Sequence, residues 1–230
     1  MNYEAFLEIV RVIREDLFRK TFDRYRNRIK VKKEETVIRN LEKIFCATLR
    51  IANRKGFQTM SMRDLSRESG LSMGALYTYF SSKEELLSML QEQGRALVRQ
   101  VLEERMREPG TSRERLERAI RSHLYISEAM QPWFYFSYME TKNLTESERG
   151  NAIRAELETE QLFADILAQG EREGVFQPRD HRLAAGALKA LLQDWYLKRG
   201  KYARREVTVE RYADFVVDLM ERFYDVSAES

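Results

Sequence analysis

Between Thr59 and Leu90 the chain reads TMSMRDLSRESGLSMGALYTYFSSKEELLSML, and this stretch leaves few choices of local structure. Ser61 is placed to cap a helix carrying Met62, Leu65 and Ser66, and Gly70 stops it. Ser72 is placed to cap a second helix, and Ser81 or Ser82 a third, where Glu84 and Glu85 sit at the positive end. Two helices of about eight residues joined at Glu68–Leu71 predict a helix-turn-helix. The second of them is unusual. Gly74 in a helix interior costs roughly 1 kcal/mol against alanine, and Tyr77 and Tyr79 bring hydroxyls that need partners.

The rest of the chain predicts helices throughout. In 230 residues there are only three prolines and ten glycines, and Asn-Gly or Pro-Gly hairpin signals are nearly absent. Phe6, Val10, Ile13 and Leu17, widened by Leu7, Phe18, Phe22 and Tyr25, mark an N-terminal helix over 3–30. Val37, Leu41, Ile44, Phe45 and Thr48 mark another over 36–53, closed by Gly56. The helix opening near Lys83 is expected to run to Glu108, where Pro109-Gly110 breaks it. Further helices are expected over 112–129, 132–143, 146–172, 180–199 and 208–224. The fold class is therefore all-α: residues 1–35 a helical extension with a basic end, 36–90 the helix-turn-helix, and 91–230 a larger body.

Charge and composition exclude several function classes. No apolar run reaches the roughly 20 residues of a membrane span. A single cysteine, Cys46, permits no internal disulfide and suits a reducing cytoplasm. His123 and His181, the two histidines, lie far apart, and no metal-ligand spacing or nucleophile–base grouping accompanies them. No metal, cofactor or enzymatic activity is expected. Residues 1–90 hold 18 basic and 12 acidic residues, whereas 91–230 hold 22 and 25. A basic front on a slightly acidic rear suggests a nucleic-acid-facing module on a non-binding body.

On a helical wheel Leu76 and Phe80 share one side, with Met73 at its edge. Gly74, Tyr77 and Thr78 fall opposite, flanked by Ala75. This small, uncharged, hydroxyl-bearing face suits close approach to the major groove of double-stranded DNA, with tyrosine hydroxyls reaching phosphates. Lys83, opening the next helix, is placed to meet a phosphate beside that helix's free N–H groups.

From Val37 to Leu90 these residues resemble the TetR-type bacterial transcriptional regulators, whose pattern runs Thr or Ser, an apolar helix, Gly-Val/Leu-Ser, a small residue, Leu-Tyr, an aromatic pair and Lys-Glu-x-Leu. The resemblance implies roles position by position. Ser61 matches a phosphate contact and Arg63 a position that often reaches a base. Ser72, Met73, Gly74 and Ala75 match the opening of the recognition helix, and Tyr77 and Lys83 its phosphate clamps. Thr78 and Tyr79 match positions that touch backbone or bases. Met73 departs from the polar residue frequent there, so an apolar contact with a thymine methyl replaces a hydrogen bond.

The same resemblance implies an effector cavity and a dimer interface in the body. Residues 125–142 are dense in aromatics, and plain core packing is one reading of them. The other is a lining of Tyr125, Met130, Trp133, Phe134, Phe136 and Tyr138 around a small hydrophobic effector. Stripes including Leu188, Leu191, Leu192 and Trp195, then Tyr212, Val216, Leu219 and Phe223, fit a two-fold four-helix interface between homodimer subunits. The implied function is a ligand-responsive repressor that releases a palindromic operator on binding its effector. A DNA-binding chromosome-organising or protein-interaction protein without an effector is the alternative. The N-terminal helix lies ahead of the family's usual start. Its apolar stripe can dock on the body or bind a partner or membrane surface, and the basic stretch RKTFDRYRNRIKVKK can contact DNA.

Overall fold

The computed structural model describes residues 1–25 and 33–224, all of whose regular structure is helical. The helices are α1 Tyr3–Tyr25, α2 Glu34–Lys55, α3 Met62–Ser69, α4 Met73–Leu76, α5 Lys83–Met106, α6 Ser112–Ala129, α7 Gln131–Glu140, α8 Glu146–Arg172, α9 His181–Leu197, α10 Arg199–Arg204 and α11 Val209–Tyr224. The side chains of Arg24 and Tyr25 and the basic stretch 26–32, the end of the expected helix 3–30, lie outside the described residues.

The chain forms two compact units. One, the reading unit, comprises Val10–Leu97 together with Pro132–Leu144; the other, the body, comprises Met1–Ile9, Val98–Gln131 and Thr145–Ser230. The division falls within α1 and α5, and it moves residues 132–144 out of the segment expected to be body.

In the reading unit the predicted stripe of α2 is the core: Val37, Leu41, Ile44 and Ile51 are buried with Leu65, Leu76 and Phe80. The later turns of α1 add Val10, Ile13, Leu17, Phe18 and Phe22. Phe18 lies on Phe45 with ring centroids 5.9 Å apart, and Thr21 Oγ1 donates to Gln93 Oε1 at 2.6 Å. Most of the apolar stripe of this extra helix, Leu7 at 38% exposure excepted, is therefore consumed by packing, since each buried large side chain contributes roughly 1.5–3 kcal/mol that exposure would forfeit.

In the body, α6, α8, α9 and α11 carry most of the buried surface. Their starts are written locally: Thr111 with Glu114 and Thr145 with Glu148 form capping boxes, and Asp180 caps α9. The first turn of α1 packs here, with Tyr3 and Phe6 each 5.5 Å from the Tyr125 ring. Lys189 on α9 is buried, and desolvation pulls its ammonium from the ordinary 10.5 down to about 8, opposed by Glu156 and Glu160. A base whose folded value is lowered binds fewer protons folded than unfolded between those limits. The body should thus gain stability as pH rises from about 8 to 10.5, and lose that gain as pH falls back through 8. Urea midpoints that stay flat across that window, after correction for tyrosine ionisation, would contradict this.

Candidate nucleic-acid interface

The reading surface is assembled by caps more than by core. Gly56, at φ 86°, ends α2 with its N–H on Ala52 O, and Thr59 Oγ1 donates to the carbonyls of Lys55 and Gly56 at 2.6 and 3.0 Å. The Ser61 hydroxyl accepts the Asp64 N–H at 3.1 Å, while Asp64 Oδ2 accepts the Ser61 N–H at 3.0 Å and its O–H at 2.7 Å. Lys55 Nζ also donates to Asp64 Oδ2, at 2.7 Å, and Arg67 to Oδ1 at 3.0 Å. The bonds from Lys55 and Ser61 hold the Asp64 carboxyl well below the usual carboxylate range. Its negative charge is thus locally neutralised by Lys55 and Arg67.

Gly70 adopts the left-handed conformation, φ 70°, and turns the chain. Ser72 then caps α4, its hydroxyl accepting the Ala75 N–H at 3.2 Å. Only Met73–Leu76 is α-helical, half the expected length. The reason is visible in the bonding: the N–H groups of Thr78 and Tyr79 reach back three residues, to Ala75 O and Leu76 O, at 3.1 and 2.9 Å. Thr78 Oγ1 also donates to Ala75 O, at 2.6 Å, competing for the carbonyl that would continue the helix.

The predicted contact residues divide into two groups. Ser61, Arg63, Ser72, Gly74 and Tyr77 are exposed, with Tyr77 52% exposed, and Met73, Ala75 and Thr78 are half-buried. A Cβ added at Gly74 would meet nothing within 4 Å, so no contact inside the chain accounts for the missing side chain. Arg63 makes no hydrogen bond or ion pair with any described residue. Tyr79 and Lys83 have internal work instead. Tyr79 is 2% exposed and its hydroxyl accepts from Asn40 Nδ2 at 2.8 Å, fixing α4 to α2 and leaving no ring surface for a groove. Lys83 Nζ donates to the carbonyls of Phe57 and Gln58 at 3.1 and 3.0 Å and stands 5.1 Å from the Phe57 ring centre. It ties the start of α5 to the α2–α3 loop. The sequence signals Tyr79 and Lys83 but not their partners, because Asn40 and a backbone carbonyl announce nothing by type.

The loop is held from a second side by α7. Trp133 Nε1 donates to Leu90 O at 3.2 Å, Asn53 Nδ2 to Pro132 O at 2.8 Å, and Ser137 Oγ to Gln91 Oε1 at 2.9 Å. The Phe57 N–H donates to Glu140 Oε1 at 3.2 Å, and the Phe57 and Phe136 rings stand 5.9 Å apart. Trp133 fills the notch of Gly94, where an added Cβ would lie 1.9 Å from the indole.

The six expected cavity residues are divided between the two units. Trp133, Phe134 and Phe136 are core of the reading unit, and Tyr138 is 53% exposed. Tyr125 lies in the body beneath Tyr3 and Phe6, and Met130 is the half-buried cap of α6. Periodicity marks aromatics as buried without marking against what. Of the expected interface residues, Leu188, Leu192, Trp195, Tyr212 and Val216 are buried within the chain's own body and Leu191 is half-buried. Leu219 and Phe223 remain exposed, joined by Leu183 and Phe215.

A capped helix-turn-helix with a smooth, cation-bearing outer face defines a DNA-binding transcriptional regulator. Sequence comparison agrees: residues 44–90 match the description "Bacterial regulatory proteins, tetR family", and residues 109–220 match "Tetracyclin repressor-like, C-terminal domain". An HTH-type transcriptional regulator of Bacillus subtilis (strain 168), YfiR, is 32% identical over 159 residues, 65% of this chain and 73% of that one. The fold is similar to AibR in complex with isovaleryl coenzyme A and operator DNA, with TM-score 0.68 at 20% identity, covering 78% of this chain and 97% of that chain. It is also similar to FadR of Bacillus subtilis in complex with stearoyl-CoA, with TM-score 0.63 at 18% identity, covering 79% and 98%. The chain belongs to the TetR family of bacterial transcriptional regulators. Transcriptional regulation, not enzymatic activity, is the family's work, as the sequence led us to expect. No described helix is long and apolar enough to cross a membrane.

Proposed function

We propose that this protein is a homodimeric repressor that binds a near-palindromic operator and releases it when a small hydrophobic effector occupies the body. The observation that carries the DNA reading is the outer face of α3 and α4, where Gly74 lacks a side chain for no internal reason and Arg63 has no partner among the described residues. A backbone laid close to the groove floor uses the first, and a base edge or phosphate uses the second. Ser61, Ser72 and Tyr77 supply hydroxyls to phosphates on either side. Met73 offers an apolar contact. Lys83 acts chiefly by fixing the α2–α3 loop, so that Ser61 and Arg63 are presented together.

Effector responsiveness is supported by the two similar structures that hold acyl thioesters of coenzyme A. Dimerisation is supported by Leu183, Phe215, Leu219 and Phe223, large apolar side chains that α9 and α11 leave in solvent. Two copies would present recognition helices to successive turns of one DNA face. Coupling would run along α5, which is unbroken from Lys83 to Met106 and contributes to both units.

The deciding experiment selects bound genomic fragments with the purified protein and measures operator affinity with and without metabolites of the neighbouring genes. An affinity that no metabolite alters would remove the ligand gate and leave DNA binding intact. Arg63→Ala should weaken operator binding by about 1–3 kcal/mol and relax discrimination at one position of each half-site. A loss equal for operator and random DNA would instead make Arg63 a phosphate contact. Leu219→Glu should turn dimers into monomers by light scattering, with operator affinity falling alongside; an unaffected dimer would put the interface elsewhere.

A further inference from the structure

We infer that Lys189 and His123 form an anion-recognition point inside the body, and that the effector is an organic acid whose carboxylate is read there. The inference rests on the ligand-responsive reading above and names the chemistry of the ligand.

Lys189 interrupts an apolar surface. Ala185, Leu188, Leu192 and Trp195 of α9 are all fully buried, and Lys189 lies among them at 8% exposure. Its Nζ has one hydrogen-bond partner, His123 Nε2 of α6, at 3.2 Å. No described carboxylate oxygen lies within 4.0 Å of it. An ammonium has three N–H groups, so two are buried without a partner. His123 is itself buried, with its ring 6.4 Å from Phe163 of α8. Burial, and the adjacent lysine, keep this imidazole neutral, so it accepts from the ammonium without supplying countercharge. The next residue on α6, Ser122, is 1% exposed and its hydroxyl has no partner.

The nearest acids do not complete the site. Glu156 and Glu160 of α8 are exposed and half-buried, and Glu156 Oε1 is engaged by Gln193 Nε2. They act on Lys189 only at a distance, favouring its charged form without occupying its donors. With the amine titrating at about 8, it is mainly a cation at neutral pH. A buried cation lacking a buried anion is strongly unfavourable, and a leucine or methionine in its place would be more stable. Such a group is a binding-site candidate, because an anion from outside supplies what the fold withholds. One ammonium, with no guanidinium fork or helix N-terminus beside it, suits a single carboxylate better than a phosphate. The Phe163 ring beside His123 suits a hydrocarbon tail.

The test compares matched pairs on the full-length protein: hexanoate, decanoate and phenylacetate against the corresponding primary amides. At least one acid should bind, read by calorimetry and by a raised thermal midpoint, with its amide about tenfold weaker or more, the loss expected for a charged hydrogen bond. Lys189→Met should fold, confirmed by circular dichroism, with a higher midpoint than wild type, and should bind acid and amide alike. If that variant fails to fold, the acid–amide comparison on wild type still decides. Equal binding of acids and amides, or no acid bound, overturns the inference. Operator release by an uncharged effector would overturn it too while sparing the repressor reading, whereas release by no small molecule would sink the reading itself.

Discussion

Trp133→Ala is expected to lower the unfolding free energy of the reading unit by about 3–5 kcal/mol and to weaken operator binding with it. The indole is buried, fills the Gly94 notch, donates to Leu90 O and meets Phe134 edge-on at 5.2 Å. Its loss opens a cavity between α5 and α7, and α7 is what holds Phe57 of the α2–α3 loop through Phe136 and Glu140. The complementary change, Gly94→Ala, places a methyl 1.9 Å from the same ring, and overpacking of this kind costs about 1–3 kcal/mol. Urea unfolding of both variants, beside operator titrations, checks the pair. A tryptophan that merely lined an effector cavity would leave stability nearly unchanged when removed, and that outcome would return α7 to the role the sequence suggested.

Trp195→Ala should cost a similar 3–5 kcal/mol in the body. Trp195 is fully buried, 5.0 Å from the rings of both Tyr202 and Tyr212, with the Arg199 guanidinium 4.6 Å from its centre. Its Nε1 donates to Glu128 Oε2 at 3.0 Å, and the same carboxylate takes the Arg199 fork. Truncation removes the ring and one arm of this network together, leaving Glu128 short of a partner. Trp195→Phe keeps the stack and drops only the hydrogen bond, so it should lose much less. Equal losses for the two variants would show that the indole N–H, not packing, carries the stability. The exposed apolar residues Leu183, Phe215, Leu219 and Phe223 belong to α9 and α11, so the proposed dimer should weaken with Trp195→Ala.

Local chemistry was legible in the sequence wherever a residue's own type does the work. Ser61, Gly70 and Ser72 set helix ends through bonds spanning three or four residues, and 3.6-residue periodicity identified α2 and the stripe of α11. The outward placement of Gly74 and Tyr77 followed from the same short-range geometry, while Arg63 was singled out only by the family resemblance. What periodicity reports is that a side chain is buried; it carries no information about the neighbour. Trp133 and Trp195 look alike in sequence, yet one packs on Gly94 in the reading unit and the other on Tyr202 and Tyr212 in the body. The resemblance implies DNA contacts for Tyr79 and Lys83, whereas it says nothing of Asn40, which donates to the Tyr79 hydroxyl, or of the Phe57 and Gln58 carbonyls that accept from Lys83. Nor does sequence spacing bring His123 to Lys189, 66 residues away. The sequence alone therefore determined most of the helices, several of their caps and the surface proposed to face DNA. Only tertiary packing decided which aromatics are core, which cations are spent internally, and that one lysine is buried without a countercharge, because those depend on contacts between residues the chain itself keeps far apart.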